Sequence, residues 1–215
     1  DFLITQEQQL IQLFGELQGT SEKDITLNLE SVDLQKLLPK MDNFSIEGMV
    51  NGNVHVFQQN NQYTPKGTLL VDQFKVNDIT LGQFNLDVTG DDALSNYQIN
   101  GFIVNENVRS FTTQGNIDFT DNEPKINVDT YFDDFNLGVL NVFGEDVLTD
   151  IRGFVTGGAN LVGNINNPDI IGILYLKDAG MKIPYLNIDF DFENNASVSL
   201  SGQQFLFNNI AILDT

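Results

Sequence analysis

The residues able to do chemistry are few. His55 is the only histidine and there is no cysteine, so thiol nucleophiles, thiolate ligands and disulfides are excluded. A Ser-His-acid triad would have to use His55, which sits between Val54 and Val56 with nothing in its sequence surroundings to support one. It reads as a solvated residue on a strand. No glycine loop of the phosphate-binding kind leads into a helix. The remaining candidates are acidic: Asp91-Asp92, Asp133-Asp134, Glu145-Asp146, and the group Asp189, Asp191 and Glu193. Hard cations favour such oxygens, but none of the groups has the spacing of a calcium loop, and turn residues or a wet strand face explain them. A carboxylate pair for glycoside hydrolysis is compatible with the pattern. The aromatic set of seventeen Phe, five Tyr and no Trp does not suit a sugar cleft, which relies on Trp and Tyr. The sequence therefore points away from an enzyme and calls for no cofactor and no metal.

The strongest pattern is apolar. In the stretch Asp150 to Phe192, Leu186, Ile188, Phe190 and Phe192 alternate with Asn187, Asp189 and Asp191. A period of two places one set on each face of a strand, giving a sheet with one apolar and one wet face. Such a face must be covered or used. The net charge of −20, with only ten Lys and Arg, argues against nucleic acid and against a basic grip on an anionic membrane.

The elements that carry this pattern repeat. Shifting by 105 positions brings Gly153, Gly157 and Gly172 onto Gly48, Gly52 and Gly67, and IRGFVTG (151–157) onto IEGMVNG (46–52). Two copies of one β-rich unit are predicted, at about 25–95 and 125–192, with 193–215 continuing the sheet. The chain starts at Asp1 and stops in mid-pattern at Thr215, so the whole of 1–215 reads as one elongated fragment of a longer protein.

Taken in order, residues 1–4 end a strand. Thr5 and Gln8 fit a capping box ahead of Leu10, Ile11, Leu13, Phe14 and Leu17, and a helix is predicted over about 6–18. Ile25, Leu27 and Leu29 form a strand, followed by a short helical turn that Pro39 ends. The second copy has residues 135–144 in that place. Strands are predicted at about 45–57, 67–71, 97–104, 108–119, 150–163, 170–177, 180–192 and 205–213. Phase slips near Asn77-Asp78 and Gly82-Gln83 suggest tight turns or bulges. Turns are placed at Asp91-Asp92, 105–107 and 121–124, and a hairpin turn at Asn194-Asn195.

Several of these segments resemble one family. IRGFVTG (151–157), LVGNINNP (161–168), GILYLKDAG (172–180), IPYL (183–186) and IAILDT (210–215), with a looser first copy at 46–71, are similar to the AsmA-like family of long periplasmic proteins. Within it they are most similar to the TamB branch, the inner-membrane subunit of the translocation and assembly module. The motif is built from Gly, Pro and apolar spacing, and the acidic, Asn-rich composition departs from it. The resemblance implies a mainly β fold: a long curved antiparallel or mixed sheet forming a half-pipe (a β-taco) with an apolar concave face and one or two short helices. It implies a periplasmic groove that carries lipid between the two membranes of a Gram-negative envelope and serves outer-membrane biogenesis. The partners are lipid acyl chains, an outer-membrane β-barrel assembly protein reached through another part of the chain, and the inner membrane through an anchor outside these residues. On that basis Phe84, Leu86, Val88, Ile126, Val128, Leu186, Ile188, Phe190 and Phe192 are the expected groove lining. The competing expectations are a β-sandwich or solenoid binding or adhesion module whose apolar faces are all covered, and a carbohydrate-active enzyme on a β scaffold.

Overall fold

The computed structural model describes residues 1–19, 22–38, 45–59, 62–144, 147–194, 196–208 and 212–214. Among these residues fifteen strands form a single sheet in which every pairing is antiparallel. They are β1 (Phe2–Gln6), β2 (Gln9–Gln18), β3 (Glu22–Asp33), β4 (Ile46–Gln59), β5 (Gln62–Val76), β6 (Ile79–Gly90), β7 (Asn96–Asn105) and β8 (Val108–Asp118). The second half adds β9 (Lys125–Asn136), β10 (Thr149–Asn164), β11 (Asp169–Ile183), β12 (Ile188–Phe192), β13 (Ser197–Gly202), β14 (Gln204–Asn208) and β15 (Ile212–Asp214). From β1 to β11 each strand pairs with the next. Beyond β11 the sheet forks, because β12 pairs with residues 180–183 and β13 with residues 170–175 along the same edge.

Directly opposed residues of an antiparallel pair share a face, so the registers sort every strand residue. One row runs Val50, Val71, Phe84, Ile103, Phe111, Phe132, and continues through Gly157 and Leu174 to Val198 and Phe207. The opposite face carries Asn28, Asn53, Thr68, Asp87, Asn100, Gln114, Asp129 and Asn160 in one row. One face is thus apolar and the other mainly polar, with Tyr131, Ile171, Ile173 and Tyr175 exposed on it, and among the described residues no second sheet covers the first.

Burial nonetheless reaches a few per cent on the apolar face, at Val50 (3 %), Val71 (5 %) and Val128 (4 %). A single sheet achieves this by curling around that face, which makes it the concave wall of a half-pipe. Bulges supply the bend. Register slips fall between Leu29 and Val32, Val71 and Phe74, and Val155 and Gly157, near the C-terminal ends of β3 and β5 and the N-terminal end of β10, and so toward one rim of the antiparallel sheet. Each adds local twist and curvature. Gly153 sits in a further slip, between Arg152 and Phe154 on the β10–β11 ladder, at φ +90°, where a Cβ would collide with the Asp178 carbonyl. The two segments joined by the sequence shift share this geometry: Ser31 and Asp134, then Gln73 and Asp178, are all left-handed. Helix α1 (Leu34–Leu37) is capped by the Asp33 carboxylate, which accepts from Gln35 N–H at 3.0 Å. In the second segment Asn136 caps a 3₁₀ turn, Leu137–Leu140, which runs into the short helix Asn141–Gly144. Leu34, Leu137 and Val139 pack on the apolar clusters of the concave face and close that rim.

The structure corrects several expectations. The helix over 6–18 is instead the β1–β2 hairpin, with Glu7 left-handed at its turn. Ile11, Leu13 and Leu17 lie on one face opposite Leu29, Leu27 and Lys23, and Gly15 occupies the middle of the run. A helix this short is marginal alone, whereas ladder pairing along β3 is available throughout its length. The strand predicted over 180–192 is broken: Pro184 opens a 3₁₀ turn, Pro184–Leu186, and Asn187 closes it left-handed. Asn194 and Asn195 do not turn a hairpin, because β12 and β13 are not paired with each other, and Asn195 lies outside the described residues. β5 begins ahead of the predicted 67–71 and includes Pro65. Pro65 is opposed to Val56 on β4, while the β5–β6 ladder starts only at Lys66, so no ladder bond needs the missing N–H. Pro39 and the pair Glu145-Asp146 lie outside the described residues.

Candidate functional site

The candidate site is the concave face. Register places Phe84, Leu86, Val88, Ile126, Val128, Ile188, Phe190 and Phe192 on it together. Leu186 is the exception. It lies in the 3₁₀ turn, 55 % exposed, off the face it was expected to line. The cause is local, since Pro184 lacks the N–H that a continued strand would need.

These residues do not share one environment. At the C-terminal end Phe190 and Phe192 are buried and belong to the largest apolar cluster, with Val155, Leu176 and Val198. Phe192 stacks on Phe207 at 5.9 Å between ring centroids. This end of the half-pipe is filled by its own side chains. Phe84 is packed as well, at 5.5 Å from Phe74. Val128 is buried and Ile126 half-buried, while Ile188 is 40 % exposed at the rim.

Leu86 and Val88 differ. They line an open concavity of about 250 Å³ whose other walls are Val54, Pro65, Gly67, Leu69, Gly90 and Tyr97, with Lys66 at its edge. Four strands supply it. Val54 faces Gly67, which faces Val88, and Leu69 faces Leu86. The glycine at the centre leaves the space that a side chain would otherwise fill. Its Cβ would meet nothing nearer than Val54 Cγ2 at 3.6 Å. The wall is apolar, and its one ionisable residue besides Tyr97, Lys66, has its Cα opposed to His55 on the polar face. Sequence reasoning missed Val54, Gly67, Leu69 and Tyr97. Val54 and Val56 flanking His55, and a lone glycine ahead of an apolar run, were the available signals.

The polar groups singled out in the sequence are engaged elsewhere. His55 has an acidic neighbour: its Nε2 lies 2.8 Å from Asp24 Oδ1, two residues along β3 from the directly opposed Thr26 and on the same face. Arg152 reaches Asp191 at 2.6 Å, Asp189 at 2.8 Å and Asp150 at 3.1 Å on the polar face. Desolvation pulls the Arg152 pKa down, and the hydrogen bonds its guanidinium donates to the Asp189 and Asp191 carboxylates outweigh it, so the net shift is upward. Asp134 holds Lys177 at 2.7 Å. Asp91 accepts from Ser95 N–H at 2.7 Å and Ser95 Oγ at 2.9 Å, and the Ser95 backbone bond is the main reason its pKa is lowered. Among the described residues no group of three or more acidic or histidine side chains is placed to hold a metal.

No family model, curated protein or solved structure matches the chain.

Proposed function

We propose that this chain is a stretch of a periplasmic lipid conduit, built from two copies of one unit, that holds phospholipid acyl chains along its concave face. The observation that carries this reading is the open apolar concavity over β4–β7, bounded by Val54, Gly67, Leu86 and Val88. Each methylene moved from water into such a site gains about 0.8 kcal/mol, so a continuous apolar track offsets removal of a chain from a bilayer without a headgroup pocket. The polar convex face and the net charge of −20 keep the walls away from anionic membranes. The family resemblance supports the rest of the setting: a Gram-negative envelope, an inner-membrane anchor and an outer-membrane barrel partner, both engaged outside these residues, and a part in outer-membrane biogenesis.

The test is a photo-reactive residue placed at Val88 or at Asp87 and incubated with phosphatidylethanolamine–phosphatidylglycerol vesicles. The two neighbours face opposite sides of β6. Lipid adducts at 88 and not at 87 support the conduit. Adducts at neither position refute it and favour a module whose apolar face binds something other than lipid, and adducts equally at both refute a path confined to one face.

A further inference from the structure

One interior strand keeps a bare edge. Among the described residues β14 pairs only with β13, and all five of its residues are exposed. Sheets blunt such edges with charges, prolines or bulges. The β14 sequence QFLFN has none of these, and Phe205 (60 %), Leu206 (50 %) and Phe207 (47 %) face solvent. The surrounding run from Asn194 to Leu213 is the longest in the chain without a charged residue. In a molecule of net charge −20, that is where two copies meet with least repulsion.

The hydrogen-bond phase selects the partner strand. Ser201 and Gln204 flank a two-residue turn and so exchange the first ladder pair. Pairs alternate along an antiparallel ladder, so Gln204, Leu206 and Asn208 bond to β13. The N–H and C=O groups of Phe205 and Phe207 point outward. On β1 the closing pair is Gln6 with Gln9, which leaves Leu3 and Thr5 pointing outward. Those are polar-face residues, whereas Phe205 and Phe207 are concave-face residues. An antiparallel join of β1 to β14 would therefore turn one sheet over. A join of β14 to its own copy does not.

We propose that the protein forms a two-fold dimer by antiparallel pairing of β14 with β14 of a second copy, centred on Leu206. Phe205 then exchanges ladder bonds with Phe207 of the second copy, and the reverse. Four phenylalanines gather on the concave side, so the two apolar faces run on into one another. The two Leu206 side chains meet on the convex side, in the row that runs through Ser199 to Ile173, which is 49 % exposed there. This inference stands apart from the lipid reading, since it uses only the edge, its phase and its charge.

A five-residue join is smaller than a standard interface, so the dimer is weak and reversible. Sedimentation velocity of the full chain over roughly 0.01–1 mM brackets the affinity expected of so small a contact. The expected result is a monomer–dimer equilibrium that strengthens with added salt, as screening reduces repulsion. Phe205→Lys removes the dimer and Leu3→Lys leaves it intact. Cysteine provides the second measurement, because the chain has none. Leu206→Cys sits at a non-hydrogen-bonded pair, where opposed Cα atoms lie about 4.5 Å apart, within disulfide reach. Mild oxidation should link it to a dimer at least tenfold more than Phe205→Cys. A monomer at every concentration, a dimer that survives Phe205→Lys or is lost with Leu3→Lys, or equal crosslinking at 205 and 206 overturns the proposal.

Discussion

Filling the concavity separates groove from core. Gly67 has ordinary extended backbone, and the nearest atoms to an added Cβ are Val54 Cγ2 at 3.6 Å and the Asn53 carbonyl oxygen at 4.0 Å. Gly67→Leu therefore projects its side chain into the space of about 250 Å³ without forcing the backbone. Two effects follow with opposite signs. Losing a strand-interior glycine gains about 0.5–1 kcal/mol. Partly burying the leucine adds about 1 kcal/mol more, which together raises the melting temperature by a few degrees. Against that, the leucine brings about four carbons into the site and excludes about four acyl methylenes. At about 0.8 kcal/mol each the loss is ~3 kcal/mol, or on the order of 200-fold in affinity. The assay is titration with a phospholipid carrying a fluorophore on its acyl chain, beside a thermal melt of the same sample. Gly52→Leu is the contrast, because its Cβ would meet the Thr68 carbonyl oxygen at 2.7 Å and the variant should be destabilised. Unchanged lipid affinity in a folded Gly67→Leu would refute the assignment of this concavity as the acyl path.

Two further predictions address the filled C-terminal part and the β6–β7 turn. Phe190 is 7 % exposed within the largest cluster, so Phe190→Ala should cost about 3–5 kcal/mol in urea unfolding. Ile188→Asp, at 40 % exposure, should cost about 1 kcal/mol, and equal losses would refute the division into filled end and open rim. At the β6–β7 turn, the folded pKa of Asp91 lies below its ordinary value of 3.8, so its contribution is present above about pH 4 and is lost as pH falls through the lowered value. Asp91→Ala should flatten the acid limb of the urea midpoint between about pH 2 and 5, and superimposable curves for the two proteins would count against the capping role.

The β class and the two-faced sheet were legible because a strand's side-chain period is fixed by the backbone. Ile126 and Val128, expected on the apolar face from the resemblance, lie on it, and the turns at Asp91-Asp92 and Glu106-Asn107 were legible by residue type. The hairpin at the N-terminus was not legible. Leu10, Ile11, Leu13, Phe14 and Leu17 fit a helical stripe, while Ile11, Leu13 and Leu17 also fit a strand face, and only the neighbouring β3 decides between them. Leu186 was misplaced because its alternation with Ile188 crosses a turn that Pro184 and Asn187 impose.

By itself, then, the sequence determined which residues share a face, since that depends on spacing along one chain. It also excluded thiol chemistry and put a surplus of negative charge on the molecule. Only the tertiary structure decided which apolar residues are core and which line open space. That depends on how far the sheet curls and on what packs inside it: Phe207 over Phe192 in the C-terminal part, and an open concavity beside Gly67, Leu86 and Val88 over β4–β7. Curvature comes from bulges whose partners are distant in sequence, so no local pattern carries it.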